Sequence, residues 1–205
     1  MKSNRNKPWL DHYDPEVLPN LFYPVLSVPG LLINSARDFP EKVALVHGNK
    51  SITYGQLLSE SQQVGKTLIN SGLTSGDRVG LCMHNSFEFV VGYYGILLAG
   101  GVVAALNPIY PVRELEMQIG ITKPKFIICT TTSVEKLNLL ENSNCLILVF
   151  REHEHSTAKL FLLQDSQLGI SKDDNERANI NLPEVLPSQS AVLQFSGGTT
   201  GVPKA

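Results

Sequence analysis

The chain alternates between two hydrophobic rhythms. Short runs dominated by Val, Ile, Leu and Cys predict strands over residues 43–47, 51–53, 78–83, 102–106, 126–129, 145–150 and 191–195. Between most of these runs, apolar residues recur every three or four positions, the spacing of one helical face. Helices are predicted over 31–39, behind Thr53, behind Asn85, over 111–121 and over 133–141. Gly48-Asn49-Lys50 supplies the turn of a hairpin between the first two strands. Thr53 and Gln56 have the spacing of a capping box. Behind them Leu57, Leu58, Ser61, Val64, Leu68 and Ile69 share one face, and Gly72 is the stop signal. Asn85 and Glu88 give a similar start to a helix that buries Val90, Val91, Tyr94, Leu97 and Leu98 and stops at Gly100-Gly101. Pro111 suits the first turn of the helix that it opens.

Strands separated by helices of this length imply βαβ units. The fold class is therefore α/β, with a largely parallel sheet, apolar on both faces, layered between flanking helices. Two stretches break the rhythm. Residues 1–28 read as an irregular leader, rich in proline and carrying Trp9, Tyr13, Phe22 and Tyr23, expected to lie across the surface of a domain spanning 29–205. Residues 151–190 are rich in Asp, Glu, Asn, Ser and Gln around one apolar patch at 160–163. They read as an exposed excursion with one short strand or helix inside it.

Composition narrows the class. With 42% hydrophobic and 18% charged residues, the 205-residue chain suits a packed core rather than disorder. A formal net charge of −2 provides no basic field, so no nucleic-acid partner is expected. The apolar stretch 87–106 is interrupted by Gly92, Gly95, Gly100 and Gly101 and has a polar start, which reads as core rather than a membrane span. Cys82, Cys129 and Cys145 are odd in number and lack CxxC spacing. They read as buried free thiols in a reducing cytoplasm, and no signal-peptide pattern follows the basic N-terminus.

The chemistry concentrates at one place. The last predicted strand runs directly into Ser196-Gly197-Gly198-Thr199-Thr200-Gly201-Val202-Pro203-Lys204. Glycines allow φ > 0, so successive N–H groups can converge on an anion. The hydroxyls of Ser196, Thr199 and Thr200 add donors, and Lys204 adds a positive charge for phosphate oxygens. The loop is not a Walker A motif, because Pro203 precedes the lysine and Ala205 follows it, and no GxGxxG is present. The bland alternative is a Gly/Thr surface turn.

This loop resembles the phosphate-loop signature of the adenylate-forming (AMP-binding) superfamily, with Gly197 where serine is common. That superfamily includes acyl-CoA synthetases, coumarate-CoA ligases, luciferases and peptide-synthetase adenylation domains. The resemblance continues upstream through Pro40-Glu41-Lys42-Val43-Ala44-Leu45, Ile52-Thr53-Tyr54-Gly55-Gln56-Leu57, Gly76-Asp77-Arg78-Val79, Asn85-Ser86-Phe87-Glu88-Phe89, Leu98-Ala99-Gly100-Gly101-Val102-Val103 and Asn107-Pro108. Lys7-Pro8-Trp9-Leu10, Tyr13-Asp14-Pro15 and Tyr23-Pro24 look most like the N-terminal extension of bacterial long-chain fatty-acid–CoA ligases.

The resemblance implies an acid–thiol ligase using ATP, Mg2+ and CoA: a fatty acid becomes an acyl-adenylate and then a thioester. Ser196, Gly197, Gly198, Thr199, Thr200, Gly201 and Lys204 would bind the nucleotide phosphates. The family's other parts, among them the adenylation lysine, the acidic Mg2+ ligand and the acyl tunnel, are expected beyond residue 205. The chain thus reads as the incomplete N-terminal part of the large domain, truncated just after the loop and inactive alone, and no catalytic residue or metal ligand is assigned within it. The lipid substrate leaves peripheral membrane association open. Two other readings stand beside this one: an inactive remnant or interaction module, and an aryl-CoA ligase or other adenylation domain. Of the remaining candidates, His153 and His155 read as a solvated segment rather than a metal pair. His12 and His47 have no partner in sequence, and His84 stands at a sheet edge. Asp77 and Arg78 read as a turn with a surface ion pair, and Tyr93 and Tyr94 as a half-buried helix face.

Overall fold

The computed structural model describes residues 7–139, 145–151, 159–164, 167–169 and 180–195. After a 3-10 turn at Pro8–His12, the leader runs mostly exposed to α1 (Val28–Asp38). A hairpin of β1 (Val43–His47) and β2 (Lys50–Thr53) leads into α2 (Tyr54–Asn70). There follow β3 (Arg78–Cys82), α3 (Phe87–Leu98), β4 (Val102–Leu106), α4 (Val112–Thr122), β5 (Phe126–Thr130), α5 (Thr131–Asn138) and β6 (Leu146–Arg151). Then come β7 (Lys159–Gln164), β8 (Gln167–Gly169) and β9 (Val192–Leu193). Among the described residues the main sheet has the order β8-β7-β6-β5-β3-β4-β9. Strands β6, β5, β3, β4 and β9 are parallel, and β7 and β8 add an antiparallel edge.

Side-chain alternation on the parallel strands builds two cores. Val79, Leu81, Phe126, Ile128, Leu148 and Phe150 point to the face covered by Leu32 of α1, by Leu57, Val64 and Leu68 of α2, and by Val91, Ile96 and Leu97 of α3. Cys82, Ile127, Cys129 and Val149 point to the opposite face, covered by Leu115 and Ile119 of α4 and Leu137 of α5. The result is a sheet layered between helices, as the apolar strands imply. Each large side chain buried in this way contributes about 1.5–3 kcal/mol.

Local signals set most boundaries. The capping box forms: Thr53 N–H donates to Gln56 Oε1 at 2.9 Å, and Gln56 N–H donates to Thr53 Oγ1 at 3.2 Å. Gly72, at φ +96°, follows the end of α2. Other expectations need correction. The third helix is capped by Ser86, not Asn85: its hydroxyl accepts from Phe89 N–H at 3.2 Å, and Glu88 merely sits in the first turn. Helix α1 begins three residues earlier than predicted, because Ser27 accepts from Gly30 N–H and Pro29 tolerates the first turn. Pro111 is the N-cap residue of α4 rather than part of it. The strand expected over 191–195 pairs only at Val192–Leu193. The apolar patch at 160–163 is a strand paired antiparallel with β6, Phe150 opposite Leu160 and Ile147 opposite Leu163, with a second strand, β8, beyond it. Cys145 is half-buried, unlike the other two thiols.

Helices α2 and α3 approach closely through small residues. A Cβ on Gly95 would overlap the Val64 side chain and come within 3.0 Å of the Ser61 carbonyl oxygen. Gly120 in α4 has nothing within 4 Å of the same position. Gly95→Ala should therefore lower stability by about 1–3 kcal/mol through overpacking. Gly120→Ala should raise it by up to about 1 kcal/mol through helix propensity. Urea midpoints of the two variants against the parent chain check both signs together.

Candidate functional site: a cleft at the strand ends

Strand β3 has β4 on one side and β5 on the other, so the chain reverses its direction across the sheet between the β3–β4 and β4–β5 crossovers. Such a switch point leaves a crevice at the carboxyl ends of the strands, the usual ligand position in an open α/β sheet. A cleft of about 400 Å³ lies there. Met83, His84 and Asn85 line it from the end of β3, with Phe89 from the first turn of α3. Ala105, Leu106, Asn107, Pro108 and Ile109 line it from the end of β4, and Gln194 from the residue after β9. His84, Asn85 and Asn107 are exposed and offer imidazole and amide groups to the opening. Among the described residues, the lining contains no Asp, Glu, Lys or Arg.

The loop Ser196, Gly197, Gly198, Thr199, Thr200, Gly201 and Lys204 lies outside the described residues, as do His153 and His155. The residues leading into the loop are placed. Gln194 lines the cleft, and Phe195 packs against the core on the α4–α5 side. Sequence reasoning singled out His84 but missed the rest of the lining. Asn107-Pro108 had signalled only a turn.

The other candidates resolve as structure. Asp77 pairs with Lys125 at 2.8 Å rather than with Arg78, whose guanidinium donates to the Thr122 carbonyl oxygen at 2.8 Å. His47 meets the Phe87 ring edge-on, centroids 5.8 Å apart, and His12 lies exposed in the 3-10 turn. Tyr93 stacks with Phe89 and meets Tyr94 edge-on, a half-buried helix face. Among the described residues, no three His, Cys, Asp or Glu side chains gather as a metal site, and no helix is long and apolar enough to cross a membrane.

Comparison with known proteins sets this geometry in context. The model of the AMP-binding enzyme family matches residues 32–205. The long-chain-fatty-acid–CoA ligase of Bacillus subtilis (strain 168) is 29% identical over 97% of this chain and 39% of its own length. The 4-coumarate-CoA ligase 1 of Narcissus pseudonarcissus is 28% identical over 91% of this chain and 34% of its own length. The crystal structure of the anthranilate CoA ligase AuaEII in complex with anthranoyl-AMP superposes with a TM-score of 0.71 at 21% identity, over 89% of this chain and 34% of that one. The chain thus spans well under half the length of these relatives.

The buried thiols lie near the cleft without serving it. Cys82 and Cys129 are opposite each other on β3 and β5. Burial pushes the Cys82 thiol up to about 11, partly offset by the Lys136 charge, and burial pushes Cys129 up to about 12, with Cys82 adding to it. Neither supplies a thiolate near neutral pH, so neither is a nucleophile. On alkylation of the native protein between pH 7 and 9, mass mapping should find label at Cys145 ahead of Cys82 and Cys129, which should label only after unfolding.

Proposed function

Because the chain belongs to the AMP-binding enzyme family, we propose that it forms part of an enzyme that activates a carboxylic acid with ATP and passes the acyl group to CoA. In this reading a carboxylate oxygen attacks the α-phosphorus, pyrophosphate leaves, and an acyl-adenylate forms. The CoA thiol then displaces AMP to give the thioester. Such displacements depend on positioning and on neutralising the charge that develops on the leaving phosphates. The chain's contribution would be the loop from Ser196 to Lys204: hydroxyls of Ser196, Thr199 and Thr200, backbone N–H groups of Gly197, Gly198 and Gly201, and the Lys204 ammonium would bind the β- and γ-phosphates. Mg2+ would add charge neutralisation there, and no ligand for it is assigned among the described residues.

The observation that carries this reading is the position of Gln194. It lines the switch-point cleft two residues before the loop begins. The acid is read as a fatty acid because similarity to the fatty-acid ligase of Bacillus subtilis extends over 97% of the chain, a span that takes in most of the leader. An aromatic acid is the second reading, supported by the coumarate and anthranilate ligases among the relatives.

Lys204→Ala in the intact protein should slow acid-dependent ATP–pyrophosphate exchange by about 10²–10³-fold, the loss typical of one donor placed where charge develops. An unchanged exchange rate would remove Lys204 from the mechanism. A panel of fatty, aromatic and amino acids, followed by pyrophosphate release, separates the acid classes. Absence of ATP affinity would instead mark the chain as an interaction module.

A further inference from the structure

One wall of the cleft is held by a side chain remote from it in sequence. Residues 107–110 form a tight turn: Ile109 N–H donates to Asn107 Oδ1 at 3.0 Å, and Tyr110 N–H donates to the Asn107 carbonyl oxygen at 3.2 Å. These bonds close the turn on itself without fixing it to the rest of the fold. Packing helps on one side only, since Tyr110 rests on the core while Ile109 is 70% exposed.

The tie comes from α5. The half-buried Lys136 donates from Nζ to the Pro108 carbonyl oxygen at 2.6 Å and to the Tyr110 carbonyl oxygen at 3.1 Å. One ammonium thus grips the turn on both sides of Ile109. Among the described residues the ion pairs are Arg37–Asp38 and Lys125–Asp77, so no carboxylate there neutralises Lys136. Its charge stands on neutral carbonyls beside the cleft and reaches the end of β3, where it acts on Cys82. An ammonium is strongly hydrated, and holding it half-buried on carbonyls costs solvation. The arrangement is explained if the turn must keep one position.

We propose that Lys136 is a positioning residue for the acid-activating reaction: it holds the Asn107–Tyr110 wall so that the cleft keeps the shape its ligand requires. This rests on the reading of the cleft as the substrate site. Lys136→Met keeps the aliphatic stem and removes the donors, and Lys136→Arg keeps donors and charge. In the intact protein, KM for ATP, the acid and CoA is measured for both variants together with kcat. Lys136→Met should raise KM for at least one substrate by about tenfold with a smaller change in kcat, and Lys136→Arg should recover most of the loss. Three unchanged KM values, with only a lower melting temperature, would overturn the proposal. If the unmodified protein releases no pyrophosphate with any acid, the functional reading fails and Lys136 loses its role in that reaction. The tie to the turn is then judged separately by hydrogen exchange at the Ile109 and Tyr110 amides. That exchange should speed by about tenfold in Lys136→Met, and unchanged exchange would show that Lys136 does not hold the wall.

Discussion

The reversal of strand order around β3 is the constraint on which the rest depends. Crossovers between parallel strands are right-handed, so consecutive crossovers running in opposite directions place their helices on opposite faces. Helix α3 accordingly joins the core that contains Val79 and Leu81, and α4 joins the core that contains Cys82 and Ile127. With one helix leaving above the sheet and the next below it, neither of these helices covers the carboxyl ends of β3 and β4. The cleft is therefore a consequence of topology, and loop chemistry only decorates it. The same arrangement requires β3 to be apolar on both faces and narrow at its centre. A Cβ on Gly80 would come within 2.9 Å of a Leu106 methyl and 3.1 Å of Ile127.

The opposite end of the sheet is closed by backbone and side-chain bonds. Gly76 N–H donates to the Gly100 carbonyl oxygen, Val102 N–H to that of Asp77, and Lys125 N–H to that of Arg78. Lys125 Nζ bridges the Gly72 carbonyl oxygen and the Asp77 carboxylate at 2.7 and 2.8 Å. Burial alone would raise the Asp77 carboxyl, yet bonds from Lys125 and Thr74 hold it below its usual range. Residues 180–191 add to this end, with Gln189 donating to Ser75 Oγ and the Ala191 carbonyl oxygen accepting from Val103 N–H. These bonds satisfy the polar groups at the base of the sheet, opposite the cleft.

Much of the fold was legible because it rests on local rules. The strands of the parallel core and the Thr53–Gln56 cap follow from period and from capping chemistry that acts over three or four residues. The misplaced helix starts had a local signal too. Ser27 and Ser86 are good caps, but Pro29 obscured the first and Asn85, another good cap, competed with the second. The antiparallel direction of β7 was not legible, since an apolar run carries no sign of its polarity. The loop from Ser196 to Lys204 was read from composition and resemblance, and it lies outside the described residues. The cleft lining did not announce itself, because Met83, Asn107 and Gln194 come together only through strand order. Lys136 was invisible for a related reason: it bonds to carbonyls 26 and 28 residues away, and every residue has a carbonyl.

The charge distribution around the cleft follows from these facts. A lining of amides, an imidazole and apolar groups can accept a ligand without burying a fixed carboxylate or ammonium. An anionic ligand nevertheless needs neutralisation, and on the proposed function two lysines would supply it differently. Lys136 is tied to carbonyls and contributes a field from behind the wall. Lys204 follows a glycine-rich stretch with proline just before it, and in the proposed function it would bring a second charge to the departing phosphates. If the proposed function holds, shape set by the cleft and charge supplied separately would suit a reaction whose largest charge develops on a group that must then depart.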